Sequence, residues 1–435
     1  MIHSGVKGHR LSLIAVLSLI AASETVGQEA VQPNIVLIVA DYMGYSDIGP
    51  YGATDIRTPS LDSLADGGAR FASYYSASPV CAPSRAALLS GFYPARVGVE
   101  ANIAAADDGL SSSDSTLVRE LKAAGYRTAM VGKWHLGAGP DFSPNSHGFD
   151  TFFGFHSWTL GYHDHLSPDG EPGLYRNSRR VSVDGYLTDV LTSEATRFIE
   201  EDPEDPFFLY LAYNTGLPPY QRPDLPESQW SFGWDANEAT REDYVAMVEA
   251  MDQGIGRVLS KLEELDLTDN TLLIFTYDHG GRHLVRSAPL FHGFGTLWEG
   301  GIRVPLLVQW PSQLSGGQVV ERPTIAMDLT ATILAAAGRD REELELDGSS
   351  LLPVLRNERE VPSPPLFWRI TSPMNTMWAV RHENWKYVVD RGTQLLFDLE
   401  ADIGERNNLF AARPEVAREL RATLSEWEQS LPARQ

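Results

Sequence analysis

Three uninterrupted apolar runs stand out along the chain: Pro33 to Ala40 (PNIVLIVA), Phe207 to Tyr213 (FFLYLAY) and Leu272 to Thr276. Continuous rather than alternating hydrophobicity predicts strands buried on both faces of a parallel sheet. Arg127 to Val131 and residues 304–309 predict further strands. Between them the apolar period changes to that of a helix. Tyr244 to Leu265 carries Val245, Val248, Met251, Ile255 and Leu259 on one stripe, and Leu117 to Ala124 is a shorter helical stretch. Thr58-Pro59-Ser60 opens another, with Thr58 as the expected cap and Pro59 at the first position; Gly67-Gly68 ends it. Strands alternating with helices predict an α/β sandwich around a largely parallel central sheet, where ligands collect beyond the carboxyl ends of the strands. Three of these runs end at Asp41, Tyr213 and Asp278.

After about residue 310 the pattern shifts. Gly316-Gly317 and a Pro-bearing stretch from Pro353 to Pro365 precede short aromatic-rich runs over 366–399 and a final helix over roughly 414–430. This predicts a small C-terminal antiparallel sheet with one helix. The expected division is a leader over 1–28, a large α/β domain over 29–320 and a smaller α+β domain over 321–435. The leader rests on Lys7, His9 and Arg10, followed by the apolar run Leu11 to Ala22 and then small and polar residues. A largely apolar run of 12 residues suits a signal sequence better than a membrane span. The expectation is therefore an exported chain, periplasmic or extracellular, without stable membrane insertion.

Composition sharpens this picture in two ways. Apolar residues make up 43% of the 435, enough for a sizeable core. The net charge of −23 argues against nucleic acid and anionic membranes as partners, so an anionic ligand needs a local cluster of basic groups. The one cysteine, Cys81, excludes an intrachain disulfide. A lone thiol is usually an inert core residue, but its neighbours here suggest otherwise. Pro83 suits the first turn of a helix that Ala86, Ala87, Leu88 and Leu89 continue and Gly91 ends. Cys81 is thus expected at a helix N-terminus, where anions are favoured, with Arg85 one turn later.

Cys81-Ala82-Pro83-Ser84-Arg85 resembles the signature of the formylglycine-dependent sulfatases. So do Gly132-Lys133-Trp134-His135-Leu136-Gly137, His147-Gly148-Phe149-Asp150, Glu299 to Pro305 (EGGIRVP) and Leu396-Phe397-Asp398-Leu399. The resemblance runs from about Pro33 to Leu409 and implies an alkaline-phosphatase-like fold. It implies that Cys81 is oxidised to formylglycine by a formylglycine-generating enzyme and acts as the nucleophile. It further implies that Arg85 holds that group, that Lys133 binds a sulfate oxygen, and that His135 assists elimination. Asp41, Asp278, His279 and residue 81 would hold calcium, and Ser157 and His292 would contact substrate, a sulfated glycan or an aryl sulfate. Four positions depart from the family pattern: His279 stands where many relatives have an asparagine, a mild change, and three are harsher, with Tyr42 replacing an aspartate, Leu217 a histidine and Phe294 a lysine. Each loss removes a charge or proton donor; His163, His165, His279, His283 and His292 are the residues able to replace one. An impaired homologue that binds a sulfated carbohydrate is the alternative reading. A relative acting on phosphate or phosphonate esters is a third, against which the intact cysteine signature argues.

Overall fold

The computed structural model describes residues 1–3, 5, 32–103, 109–114, 116–339, 344–358, 363–372 and 375–432. The expected leader, centred on residues 7–27, falls outside them. The chain from Gln32 onward forms one compact unit. Its centre is a ten-stranded sheet in the order Gln318–Val320, Ala69–Phe71, Leu306–Gln309, Thr271–Tyr277, Asn34–Ala40, Phe207–Ala212, Arg127–Lys133, Thr151–Phe155, Tyr175–Arg176, Arg179–Arg180. The five strands from Thr271–Tyr277 to Thr151–Phe155 are mutually parallel. Leu306–Gln309 runs antiparallel beside them, so the sheet is mixed at its flanks.

Register explains why three apolar runs converge on one edge. Leu37 lies between Tyr210 and Ile274, and every residue of Asn34–Ala40 and Thr271–Tyr277 is buried. Asp41 and Asp278 therefore emerge side by side, and the Asp278 amide donates to Ala40 O. Two groups of helices pack around the sheet. Arg241–Glu264 contacts Leu187–Glu200 and Pro59–Asp66, while Cys81–Ser90 contacts Ala326–Ala336 and Thr116–Ala123. A capping box at Thr240 and Asp243 starts the long helix at Arg241, ahead of its apolar stripe.

The expected cap at Thr58 is a correction. Its backbone is not in a capping conformation, and its hydroxyl instead accepts from Gly49 N at 2.8 Å, tying down the loop before the helix. The C-terminal sheet is antiparallel in the order Leu366–Ser372, Asn375–His382, Trp385–Asp390, Thr393–Asp398, with the helix Pro414–Ser430 packed on its middle strands. No helix among the described residues is long and apolar enough to cross a membrane.

Candidate functional site

The helix Cys81–Ser90 begins directly at the cysteine, after extended Val80, and closes at left-handed Gly91. Its residues are all buried, so its first turn is pressed against the strand ends rather than open to water. Cys81 Sγ lies 3.0 Å from His279 Nε2 and 3.9 Å from Asp41 Oδ1. One turn on, Arg85 reaches across the same gap. Its Nε donates to Asp278 Oδ2 at 3.0 Å, Nη2 to Asp41 Oδ2 at 2.8 Å and Nη1 to Lys133 O at 2.9 Å. Lys133 Nζ donates to the same Asp41 Oδ2 at 2.6 Å. Ser84 anchors the helix by donating to Asp278 O at 2.5 Å.

The two carboxylates are thus used asymmetrically. Both Oδ2 atoms are occupied by Arg85 and Lys133. Both Oδ1 atoms face Cys81 and His279: Asp278 Oδ1 lies 3.5 Å from His279 Nε2, and Asp41 Oδ1 lies 3.8 Å from it. Asp278 Oδ1 is buried and has no hydrogen-bond partner. A buried carboxylate oxygen without a partner is costly, and a cation would relieve that cost. His279 Nδ1 lies 3.0 Å from Gly280 O; as donor there, it leaves Nε2 with a lone pair directed at the same point. One ligand atom from each of Asp41, Cys81, Asp278 and His279 lies within 4.8 Å of the others. The donor set fits a divalent cation, with the oxygens of a bound anion completing the shell of a hard ion such as calcium.

Electrostatics follow from this crowding. Burial works against charge on Asp278, but His279, Arg85 and Lys133 outweigh it and hold the carboxyl below its ordinary range. Burial also works against charge on His279; Asp278 and Cys81 outweigh it and raise the imidazole to about 9, so Nε2 gives up a proton when it takes a cation. His135 goes the other way. Burial, then Lys133 and Arg85, push it well below its usual value, so it is a neutral base at physiological pH. It follows the strand Arg127–Lys133 in a left-handed conformation (φ 57°), with Nδ1 buried and unpartnered.

Asp41, Cys81, Arg85, Lys133, Asp278 and His279 are therefore brought into contact, with His135 in their electrostatic field. Ser157 and His292 are not. Ser157 donates to Thr159 O and lines a separate cleft of about 790 Å³. His292 packs on Phe291 and Trp298 and lines a second cleft of about 730 Å³. His163 and His165 line a third. Of the five histidines able to replace a lost group, only His279 is in the cluster.

Two of the altered positions form one feature. Tyr42, left-handed (φ 58°) and buried, sets its ring 5.0 Å from Phe294 and edge-on to His279 at 6.0 Å; Phe294 and His279 are 5.1 Å apart. An aromatic wall backs the imidazole where the family pattern has charged side chains. Burial pushes the Tyr42 phenol up to about 12, so it stays protonated and is no substitute for a carboxylate. Leu217 lies in the loop 214–217 that crosses the end of Asn34–Ala40. Gly216 in that loop is left-handed (φ 108°), and a Cβ there would sit 2.0 Å from Asp41 O, so no side chain fits. Sequence reasoning missed Asn214, which is fully buried with neither amide atom partnered, and Tyr210, whose hydroxyl lies 3.5 Å from Arg85 Nη1. Only a position at or beyond a strand end hinted at Asn214.

Comparison with known proteins places this geometry. The family model described as Sulfatase matches residues 33–339, and one described as N-sulphoglucosamine sulphohydrolase, C-terminal, matches residues 292–430. The chain is 36% identical over 368 residues to the N-acetylgalactosamine-6-sulfatase of Homo sapiens, covering 78% of this chain and 68% of that protein. It is 32% identical over 442 residues to arylsulfatase A of Bos taurus, covering 89% and 85%. The crystal structure of Ps i-CgsB in complex with k-i-k-neocarrahexaose superposes with a TM-score of 0.85 at 32% identity, covering 93% of this chain and 94% of that one.

Proposed function

The chain belongs to the sulfatase family of sulfuric ester hydrolases, and from that premise we propose that it hydrolyses sulfate esters of glycans with a formylglycine made from Cys81 and a bound calcium ion. The observation that carries the reading is the paired orientation of Asp41 and Asp278: both Oδ1 atoms, one of them unpartnered, face Cys81 and His279. A relative named N-acetylgalactosamine-6-sulfatase and a neighbour in complex with k-i-k-neocarrahexaose support a glycan rather than a small aryl group. The apolar run Leu11 to Ala22 behind a basic start supports export.

As formylglycine, residue 81 would supply a hydrated aldehyde, one hydroxyl attacking sulfur and the other later losing its proton to release sulfate. Calcium, held by Asp41, Asp278 and His279, would offset sulfate charge. The chain's own groups do the rest. Arg85 fixes both metal carboxylates through a rigid fork and orients them towards residue 81. Lys133, wholly buried on Asp41, supplies positive charge at the bottom of the site. His135, neutral and with an unpartnered nitrogen, can take the proton that leaves in the elimination step. The aromatic wall of Tyr42 and Phe294 excludes water from the metal side and gives a sugar face an apolar surface.

The test is sulfate release after co-expression with a formylglycine-generating enzyme, with calcium and a panel of sulfated glycans and aryl sulfates. Release that disappears in Cys81→Ala supports the proposal. Confirmed binding of a sulfated glycan with no release from any substrate would favour the alternative, a carbohydrate-binding homologue whose lost charges at 42, 217 and 294 ended catalysis.

A further inference from the structure

The cleft of about 730 Å³ beside the aromatic wall has an unusual lining for so acidic a chain. It includes Gly281, Arg282, His292, Phe294, Arg391 and Arg406, and no carboxylate. Four other clefts each contain at least one Asp or Glu. Acidic residues outnumber basic ones 58 to 35, so three arginines converging on a cleft whose lining holds no carboxylate is a departure from the surface at large. The three come from separate segments: the loop after Thr271–Tyr277, the turn joining Trp385–Asp390 to Thr393–Asp398, and the loop before the final helix. Arg282 and Arg406 have no ion-pair partner among the described residues. Arg406 instead lies over the Phe291 ring at 4.6 Å, which fixes its plane. The Arg391 guanidinium pairs with its neighbour Asp390, which is shared with Trp298 Nε1. Asp390 offsets one of the three cations, and the Asp402 carboxylate, which accepts from Arg406 N at 2.8 Å, lies at the base of another. Glu405 turns inward, towards Lys386 and the Glu299 amide.

One wall of the cleft backs onto the reaction centre. Phe294 belongs to its wall and stands 5.1 Å from the His279 ring, whose Nε2 is 3.0 Å from Cys81 Sγ. We propose that Arg282, Arg391 and Arg406 form a second anion subsite, which binds a sulfate carried by a sugar neighbouring the one whose ester is cleaved. The inference rests on the glycan sulfatase reading above and adds a substrate class: a multiply sulfated oligosaccharide. Guanidinium forks match the planar face of three sulfate oxygens, and a low-dielectric wall on one side focuses their field. This supplies by cleft arginines the substrate charge recognition that a lysine at position 294 would provide.

The experiment separates binding from turnover. Calcium-loaded Cys81→Ala protein is titrated calorimetrically with four tetrasaccharides of one backbone, carrying no sulfate, one sulfate, two sulfates on adjacent sugars, or one sulfate and one carboxylate. The disulfated form is expected to bind at least thirtyfold more tightly than the monosulfated one. Adding Arg282→Gln, Arg391→Gln and Arg406→Gln together should erase that ratio and leave monosulfate binding within threefold. All three side chains are exposed, so an unchanged melting curve confirms that the fold is intact. A disulfate preference that survives the triple substitution, or no preference in the parent, overturns the subsite. If the carboxylate-bearing form equals the disulfated one, the subsite recognises a generic anion and the assignment to sulfate fails. Because the readout is binding by an inactive protein, failure of hydrolysis in the active enzyme leaves this result standing on its own.

Discussion

Two clusters of buried charge in this molecule look alike in composition and differ in closure. One is the site at the strand ends: Asp41, Asp278, Arg85, Lys133, Cys81 and His279. The other lies between the large sheet and the C-terminal sheet. There Lys386 Nζ lies 2.7 Å from Glu299 Oε1 and 2.9 Å from Glu405 Oε1, Arg303 Nη1 donates to Glu299 Oε2 at 3.1 Å, and Tyr75 donates to the same oxygen at 2.6 Å while receiving Arg381. In the second cluster each carboxylate oxygen of Glu299 has donors, and Glu405 Oε1, which makes no hydrogen bond, still lies 2.9 Å from Lys386 Nζ. In the first, one oxygen of each aspartate faces a thiol and the His279 imidazole, and Asp278 Oδ1 makes no hydrogen bond, its nearest group being His279 Nε2 at 3.5 Å. Buried charge that closes on itself joins two parts of a fold; buried charge left open on one side is a place for a ligand. The Glu-Gly-Gly-Ile-Arg segment, although part of the family resemblance, belongs to the junction and not to the chemistry.

Breaking the open cluster should cost function before stability. Asp278→Asn removes a cation ligand and is expected to lower sulfate release on the order of 10²–10³-fold, as for loss of one preorganised charge. Melting curves would show the second half of the effect. The parent should gain about 2.7 kcal/mol of stability at a hundredfold calcium excess over its Kd, and the variant should gain little. Breaking the closed cluster should do the reverse. Glu299→Gln leaves Arg303 without its carboxylate and Lys386 with Glu405 alone, and is expected to cost about 3–5 kcal/mol in denaturant unfolding, with sulfate release per folded molecule unchanged.

A gentler test restores a missing group. Tyr42 holds a left-handed backbone that aspartate tolerates better. Tyr42→Asp should therefore tighten calcium binding about tenfold, or about 1.4 kcal/mol, read by titration calorimetry. The smallest effect concerns pH. Burial, together with Glu299, raises Glu405 to about 7 against the pull of Lys386. A carboxyl whose folded pKa is raised contributes stability that is complete below its unfolded value and lost as pH rises through the folded one. The stability of the parent relative to Glu405→Gln should fall between about pH 4.5 and about pH 7; parallel melting temperatures across that window would remove the titration from Glu405.

Much of this arrangement can be read from the chain alone. Buried strands announce themselves as unbroken apolar runs, so the sheet and the side-by-side emergence of Asp41 and Asp278 follow from pattern and register. The Cys81 helix is equally plain, since Pro83 and Gly91 mark its ends. What cannot be read is where loops carry their side chains. Ser157 and His292 sit on loops and line other clefts, and Thr58 gives its hydroxyl to Gly49 instead of a helix end. Tyr42 and Phe294 look like two separate losses in the sequence. Only the fold shows that they meet each other and His279, so one aromatic wall stands where two charges are expected.

The most direct test of the open cluster compares sulfate release by two preparations differing only at residue 81, each in calcium and in chelator. In one, peptide mass spectrometry shows Cys81 converted to formylglycine; in the other it remains a thiol. Release from a sulfated oligosaccharide by the converted, calcium-loaded protein alone is the expected result. Release by the thiol form, or none from converted and calcium-loaded protein that binds the same oligosaccharide, would contradict the assignment of these residues to hydrolysis.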